Sequence, residues 1–282
     1  MNGYSPIPYA GYESQKEYWR VAIGLNEVDD LKPSEYLNKL SEENAAGKLA
    51  DSEVVDALKK YYESGQGSTS TRECDFVATR IKELLEDNVF TLRPNTMASI
   101  HRYLFQDLED FSGIAGVYRT SNIAKAEPVL AGRSVNYTPW QFIADTLEYD
   151  LGQARTRAWS SLQGNDLITA VCDLTSAVWQ VHPFYEGNTR TTAVLIEKLL
   201  RSLGYNLDNE PFAQSAKYFR DALVLDNFSD PDHGISPNRT YLQAFFEKLL
   251  QVEGQHGLPE IKQAYSTTLE TEEPELDDEP EL

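Results

Sequence analysis

Residues 166–181 are apolar over so much of a helical circumference that the segment is stable only if covered on most sides. Leu167, Val171, Leu174, Val178 and Val181 recur at spacings of four and three, while Ile168, Cys172 and Trp179 add a second stripe. The pattern predicts a central, buried helix. It stops at His182-Pro183, where the proline biases the preceding residue away from helix. Helical periodicity resumes at Thr191 and runs to Leu203, with Gly204 as a C-cap. Whatever His182-Pro183-Phe184-Tyr185-Glu186-Gly187-Asn188-Thr189-Arg190 does, it does on a loop between two packed helices.

The rest of the chain reads mostly as helix. Residues 1–33, rich in Tyr, Gly and Pro, with Tyr12, Tyr18 and Trp19 clustered, suggest an irregular arm. Helices follow near 34–47 and 51–63, the second opening on Asp51-Ser52-Glu53. The small, polar stretch 64–71 reads as a linker, which separates an accessory helical region over 1–70 from a domain over 72–252. Val77, Ile81 and Leu84 share a stripe in a helix over 72–86, and Ile100, Leu104 and Leu108 recur at spacing four after Pro94. Val117–Thr120 and Ser134–Tyr137 are short strand-like runs around Pro128 and Gly132, predicting a β-hairpin flap over about 117–138. Helices from about 139 to 157, 211 to 226 and 238 to 252 complete the domain.

Composition narrows the partners. The net charge of −20 excludes nucleic acid as a bulk partner, because phosphate backbones need a cationic surface. Part of that charge is the run of eight acidic residues from Glu270 to Glu281, expected to form a disordered tail over 253–282. No apolar run has transmembrane length and the first ten residues lack signal-peptide grammar, so a cytoplasmic protein without membrane contact is expected. Cys74 and Cys172 have no CxxC partners and read as reduced core thiols.

The loop carries the groups that phosphate-ester chemistry requires. Gly187 permits a positive φ, so a helix beginning near Asn188 leaves the N–H groups of residues 187–190 without intrahelical acceptors, an anion site by construction. Arg190 adds a permanent charge suited to phosphate, Glu186 a carboxylate suited to Mg²⁺, and His182 a base for an attacking hydroxyl. Phe184 reads as the apolar anchor of the loop. His182 and Glu186 at spacing four do not read as a helical metal pair, since Pro183 and Gly187 interrupt the helix. Tyr218 and Phe219 are candidates for the wall of a purine pocket.

These residues resemble the signature of Fic (Fido) domain proteins: His, any residue, Phe, any residue, Asp or Glu, then Gly-Asn-Gly-Arg and an arginine three positions on. Ile100-His101-Arg102-Tyr103-Leu104-Phe105, and Gly116-Val117-Tyr118-Arg119-Thr120 with Ile123 and Lys125, are similar to the helix before the family's flap and to the flap itself. The resemblance implies an all-α core with a β-hairpin flap that transfers a nucleotide monophosphate, typically AMP from ATP, to a hydroxyl of a target protein. It implies His182 as general base, Glu186 as holder of Mg²⁺, Gly187 and Asn188 as the phosphate cradle, Arg190 as the clamp, and the flap near 120–138 as the seat of the target segment.

Two positions depart from the signature. Thr189 stands at the third small position and could narrow the nest, and Ala193 stands at the second arginine, which in the family contacts the terminal phosphate. The family's inhibitory pattern, Ser or Thr four residues before Glu and a following Gly or Asn, is not matched: Glu43-Asn44 has Lys39 in that place, and Glu253-Gly254 has Leu249. The sequence therefore predicts an adenylyltransferase without the usual glutamate restraint. Phosphotransfer from a reversed nucleotide and a catalytically silent interaction module are the alternatives.

Overall fold

In the computed structural model, which describes residues 11–87, 89–252 and 257–264, eleven α-helices pack around one hydrophobic core. In chain order they are α1 (Tyr12–Gly24), α2 (Glu35–Ala45), α3 (Asp51–Glu63), α4 (Thr69–Glu86), α5 (Thr96–Phe105), α6 (Ile143–Thr156), α7 (Gly164–Val181), α8 (Asn188–Ser202), α9 (Glu210–Gln214), α10 (Ala216–Asn227) and α11 (Thr240–Leu249). None among the described residues is long and apolar enough to cross a membrane. Of the disordered tail expected over 253–282, residues 257–264 are described and are ordered instead, with Leu258 and Ile261 packed against the core and Ala264 N–H donating to Val129 O at 3.1 Å; the acidic run 270–281 lies outside the described residues.

The wide apolar face of α7 is covered as its sequence requires, by α6, α8, α10 and α11. The deepest helix, however, is α8. Every residue from Asn188 to Leu200 is buried, although Thr191, Thr192, Glu197 and Lys198 are polar. Such a helix needs polar partners as well as apolar ones. Glu197 accepts from Arg201 Nε at 2.8 Å, and Lys198 Nζ donates to the carbonyls of Leu84 and Asp87 at 2.6 Å each. A polar stripe of this kind reads as solvent-facing in the sequence; here α4, α5 and the turn after α1 cover it.

The opening arm requires correction. Its described part is the helix α1, followed by a 3₁₀ segment over Leu25–Asp29. Trp19, Val21, Ala22, Leu25 and Val28 enter the common core, chiefly against α4, and Trp19 Nε1 donates to Asn44 Oδ1 at 2.8 Å. Gly24 permits the crossing with α9, because a Cβ there would lie 2.4 Å from the Ala213 carbonyl oxygen. The helix has no side-chain N-cap, which removed the local signal for its start. Within the 64–71 stretch α4 already begins at Thr69, and Tyr62 before it donates to Asp75 Oδ2 beyond it at 2.6 Å.

The flap is also corrected. Residues 117–138 contain no β-strand; they form an extended excursion with one 3₁₀ turn at Pro128–Leu130. Its tip is closed by Glu127 N–H to Arg133 O and Gly132 N–H to Glu127 O, both 3.0 Å. At its base the backbone groups turn to other partners: Arg119 N–H donates to Pro183 O at 2.8 Å and Thr138 N–H to Gln180 O at 3.3 Å. At the base these backbone N–H groups therefore bond to the end of α7 and the residue after His182, while bonds between the limbs, such as Lys125 N–H to Ser134 Oγ at 3.0 Å, do not form a strand ladder. Elsewhere the expected 211–226 helix breaks at Ser215 into α9 and α10, and Leu108 lies beyond the end of α5 while remaining buried.

Candidate active site

The site begins where α7 ends. His182 itself terminates the helix in the left-handed conformation (φ 47°, ψ 60°), its N–H donating to Trp179 O at 3.0 Å. A non-glycine residue here is strained, and its ring is fixed by packing. The imidazole stacks on Tyr137 at 4.0 Å and meets the edge of Trp179 at 5.4 Å. Nδ1 is buried with no hydrogen-bond partner among the described residues. Burial, then the charges of Lys125 and Arg119, push the His182 pKa well below its ordinary range, so the ring is neutral near pH 7.

The following loop folds on itself. Phe184 is buried and stacks on His101 at 3.8 Å, the anchor expected of it. Asn188 clasps Phe184 twice: its Nδ2 donates to Phe184 O at 2.8 Å, and its Oδ1 accepts from Phe184 N–H at 3.0 Å. The Asn188 side chain thereby closes the loop. Gly187 (φ 74°) is required twice over, since a Cβ would also lie 2.3 Å from the Phe105 ring. The first helical bond of α8 runs from Thr191 N–H to Gly187 O at 3.0 Å, so the amides of residues 188–190 precede the helical ladder.

His101 joins this loop to the base of the flap. Its Nδ1 accepts from Gly116 N–H at 2.8 Å, so its Nε2 carries the proton and donates to Glu186 O at 3.1 Å. Arg119, almost fully buried, donates to the carbonyls of His182 at 2.8 Å, Ser121 at 2.7 Å and Thr138. It thus holds both limbs of the flap against the end of α7. The half-exposed Tyr185 hydroxyl accepts from Thr120 N–H at 3.2 Å, and bonding to Ser121 and Thr120 draws its pKa down to about 8.

His182, Glu186, Gly187, Asn188 and Thr189 line a common cavity. Its volume is about 30 Å³, far below the roughly 300–1,000 Å³ of small-molecule pockets, with the flap in this position. Two ion pairs hold it there: Lys125 Nζ lies 2.9 Å from Glu186 Oε2, and Arg220 Nη2, from α10, lies 2.6 Å from Glu127 Oε2.

Three site residues stand differently from expectation. Arg190 does not line the cavity; it is 2% exposed and is engaged by Asn26, Glu73 and Asp29, the last of which does line the cavity. Thr189 does not simply crowd the nest, because its hydroxyl accepts from Trp179 Nε1 at 3.0 Å and ties α8 to α7. Tyr218 lies off the cavity and packs near Tyr241 and Phe245. Residues two apart on a helix point roughly 200° away from each other, so Arg220 faces the cavity and Tyr218 cannot. Ala193, at the departed arginine position, is completely buried.

Asp29, Lys125, Glu127 and Arg220 also line the cavity. Sequence reasoning placed Lys125 only within the flap and gave Asp29, Glu127 and Arg220 no role, because charges far apart along the chain leave no periodic or spaced signal. Glu43 is paired with Lys39 on α2, away from the cavity, whereas Glu253-Gly254 lies outside the described residues. Among the described residues no three His, Cys, Asp or Glu side chains are grouped to hold a metal. Glu186, a single 63% exposed carboxylate beside the helix amides, nevertheless fits Mg²⁺, which takes its remaining ligands from phosphate and water. Cys74 and Cys172 are buried and unpaired, with burial pushing both thiols up to about 12.

The Fic/DOC family model matches residues 91–200, from the approach to α5 through most of α8, a narrower span than the 72–252 expected. No curated protein and no solved structure matches the chain with significance.

Proposed function

Because residues 91–200 of this chain form a domain of the Fic/DOC family, we propose that it transfers a nucleotide monophosphate, AMP from ATP in the simplest case, to a hydroxyl of a target protein. The observation that carries this reading is that the neutral His182 imidazole, the Glu186 carboxylate and the amino end of α8 border one cavity.

In the proposed reaction a Ser, Thr or Tyr hydroxyl of the target attacks the α-phosphorus while its proton passes to His182. The new O–P bond forms as the bond from the α-phosphorus to the bridging oxygen breaks, and pyrophosphate leaves. The amides of residues 188–190 stabilise the developing oxyanion charge. Mg²⁺, when bound, neutralises phosphate charge, and Glu186 would hold it once Lys125 releases the carboxylate. A depressed pKa makes His182 a weak base in the closed site, but a polyphosphate beside it raises that pKa. The target segment would lie along 120–138, where the extended backbone is not paired in a hairpin.

A catalytically silent module is the second reading, favoured by the closed cavity and the engagement of Arg190 elsewhere. Intact-mass analysis of the purified chain with each of the four nucleoside triphosphates and Mg²⁺, with and without candidate target proteins, separates the readings. A nucleotide-monophosphate adduct that carries α-label supports the proposal. An adduct that carries γ-label replaces it with phosphotransfer, and no adduct under any condition leaves the silent module.

A further inference from the structure

The signature arginine Arg190 does not line the cavity, whereas Lys125 and Arg220 do. Arg190 is 2% exposed and donates to three protein side chains, so drawing it into the cavity would strand the partly buried acids Asp29 and Glu73. Arg220 lines the cavity directly, with its side chain 28% exposed. Its close partner is Glu127, which is only 1% exposed; its other contact, Nη1 to Val28 O, is long at 3.3 Å.

We propose that Arg220 is the residue that receives the phosphate chain of the donor, with Glu127 occupying its guanidinium until the flap moves. This rests on the nucleotidyl-transfer reading above for the identity of the ligand, but its logic is electrostatic. Lys125 and Glu127 are two residues apart on the flap, and each pairs across the cavity with the helical body, Lys125 with Glu186 and Glu127 with Arg220. A flap displacement large enough to admit a triphosphate breaks both pairs together. The same motion that enlarges the 30 Å³ space therefore delivers a carboxylate to the metal side and a guanidinium to the phosphate side. It also carries Glu127 out toward water, so that no unpaired carboxylate remains buried. A planar guanidinium suits this exchange because it binds carboxylate and phosphate oxygens with the same donor geometry. His182 supplies independent support for a ligand at this place: its buried Nδ1 has no partner among the described residues, and the ring lines the same cavity.

The test is calorimetric binding of inorganic tripolyphosphate with Mg²⁺ to the full chain, which does not depend on the base of the donor. Arg220→Gln is expected to weaken binding at least tenfold, and Arg220→Lys to restore part of it. Glu127→Gln is expected to tighten binding several-fold, because the competing carboxylate is gone. Thermal melting identifies any variant that does not fold, and if Arg220→Gln is one, Glu127→Gln decides. Binding by folded Arg220→Gln within twofold of wild type overturns the proposal, as does weaker binding by folded Glu127→Gln, or no binding by the wild type. Arg220-dependent tripolyphosphate binding without any transferred group would remove the proposed function and leave this site standing. Transfer that is indifferent to Arg220→Gln would do the reverse.

Discussion

Arg190 Nη2 lies 2.7 Å from Glu73 Oε1, which ties the amino-terminal turn of α8 to α4. With Asn26 and Asp29 on the same guanidinium, the arginine acts as a bolt between the signature loop and the amino-terminal helices. Arg190→Ala is therefore expected to cost stability first. The charge is buried while its two acids are about a third exposed, so solvent screens part of the pairing and roughly 2–3 kcal/mol is expected. Urea unfolding measures it. A folded variant of wild-type stability that has lost tripolyphosphate binding would show instead that Arg190 is a phosphate clamp.

Gly187→Ala places a methyl group 2.3 Å from the Phe105 ring at a φ of 74°. Backbone strain of about 1 kcal/mol and overpacking of 1–3 kcal/mol add, so a loss of about 2–4 kcal/mol is expected. Phe105→Leu in the same chain should recover the overpacking part but not the strain. Thermal melting of the single and double variants gives both numbers, and equal losses would place the whole effect in the backbone.

His182→Ala is expected to lower transfer by a hundredfold or more while the melting temperature changes little, since general-base catalysis contributes about 10²–10⁴-fold. His182→Gly relieves the left-handed strain and should melt no lower than the alanine variant. Transfer by His182→Ala at the wild-type rate would remove the imidazole from the mechanism.

His101 links pH to folding. Burial, and to a lesser degree the Arg190 charge, depress its pKa to about 4 against the opposing effect of its hydrogen bond to Glu186 O. The unfolded chain, titrating near 6.5, binds more protons between those values, so this contribution is fully present above about pH 6.5 and is lost as pH falls toward 4. The loss amounts to about 3 kcal/mol. Denaturation in urea at intervals from pH 7.5 to 4.5 should show the slope, reduced in His101→Gln. Parallel slopes in the two proteins would assign the acid sensitivity to other groups.

Much of this fold is written in local patterns. The two stripes of α7, its end at His182-Pro183 and the turn at Gly187 each depend on residues within a few positions, where helical period and φ restrictions act. The same economy let the nine-residue loop announce its chemistry, because a base, a carboxylate and a helix start need only adjacency to share a cavity. Failures occurred where composition misled. Tyr and Gly in α1 suggested an irregular arm, and β-branched runs at 117–120 and 134–137 suggested strands whose backbone partners lie on α7.

Which cation lines the cavity is decided only by the packing of distant segments. Arg190 meets Asn26 across 164 positions, and Glu127 meets Arg220 across 93. No periodicity or spacing encodes such pairs, because whether a charged group is available depends on who surrounds it after folding. The loop by itself predicts a phosphate site and a base. The tertiary structure turned its arginine inward, folded its asparagine back on Phe184, and brought Arg220 from another helix to the cavity, since a buried guanidinium goes where compensating charge and acceptors are densest.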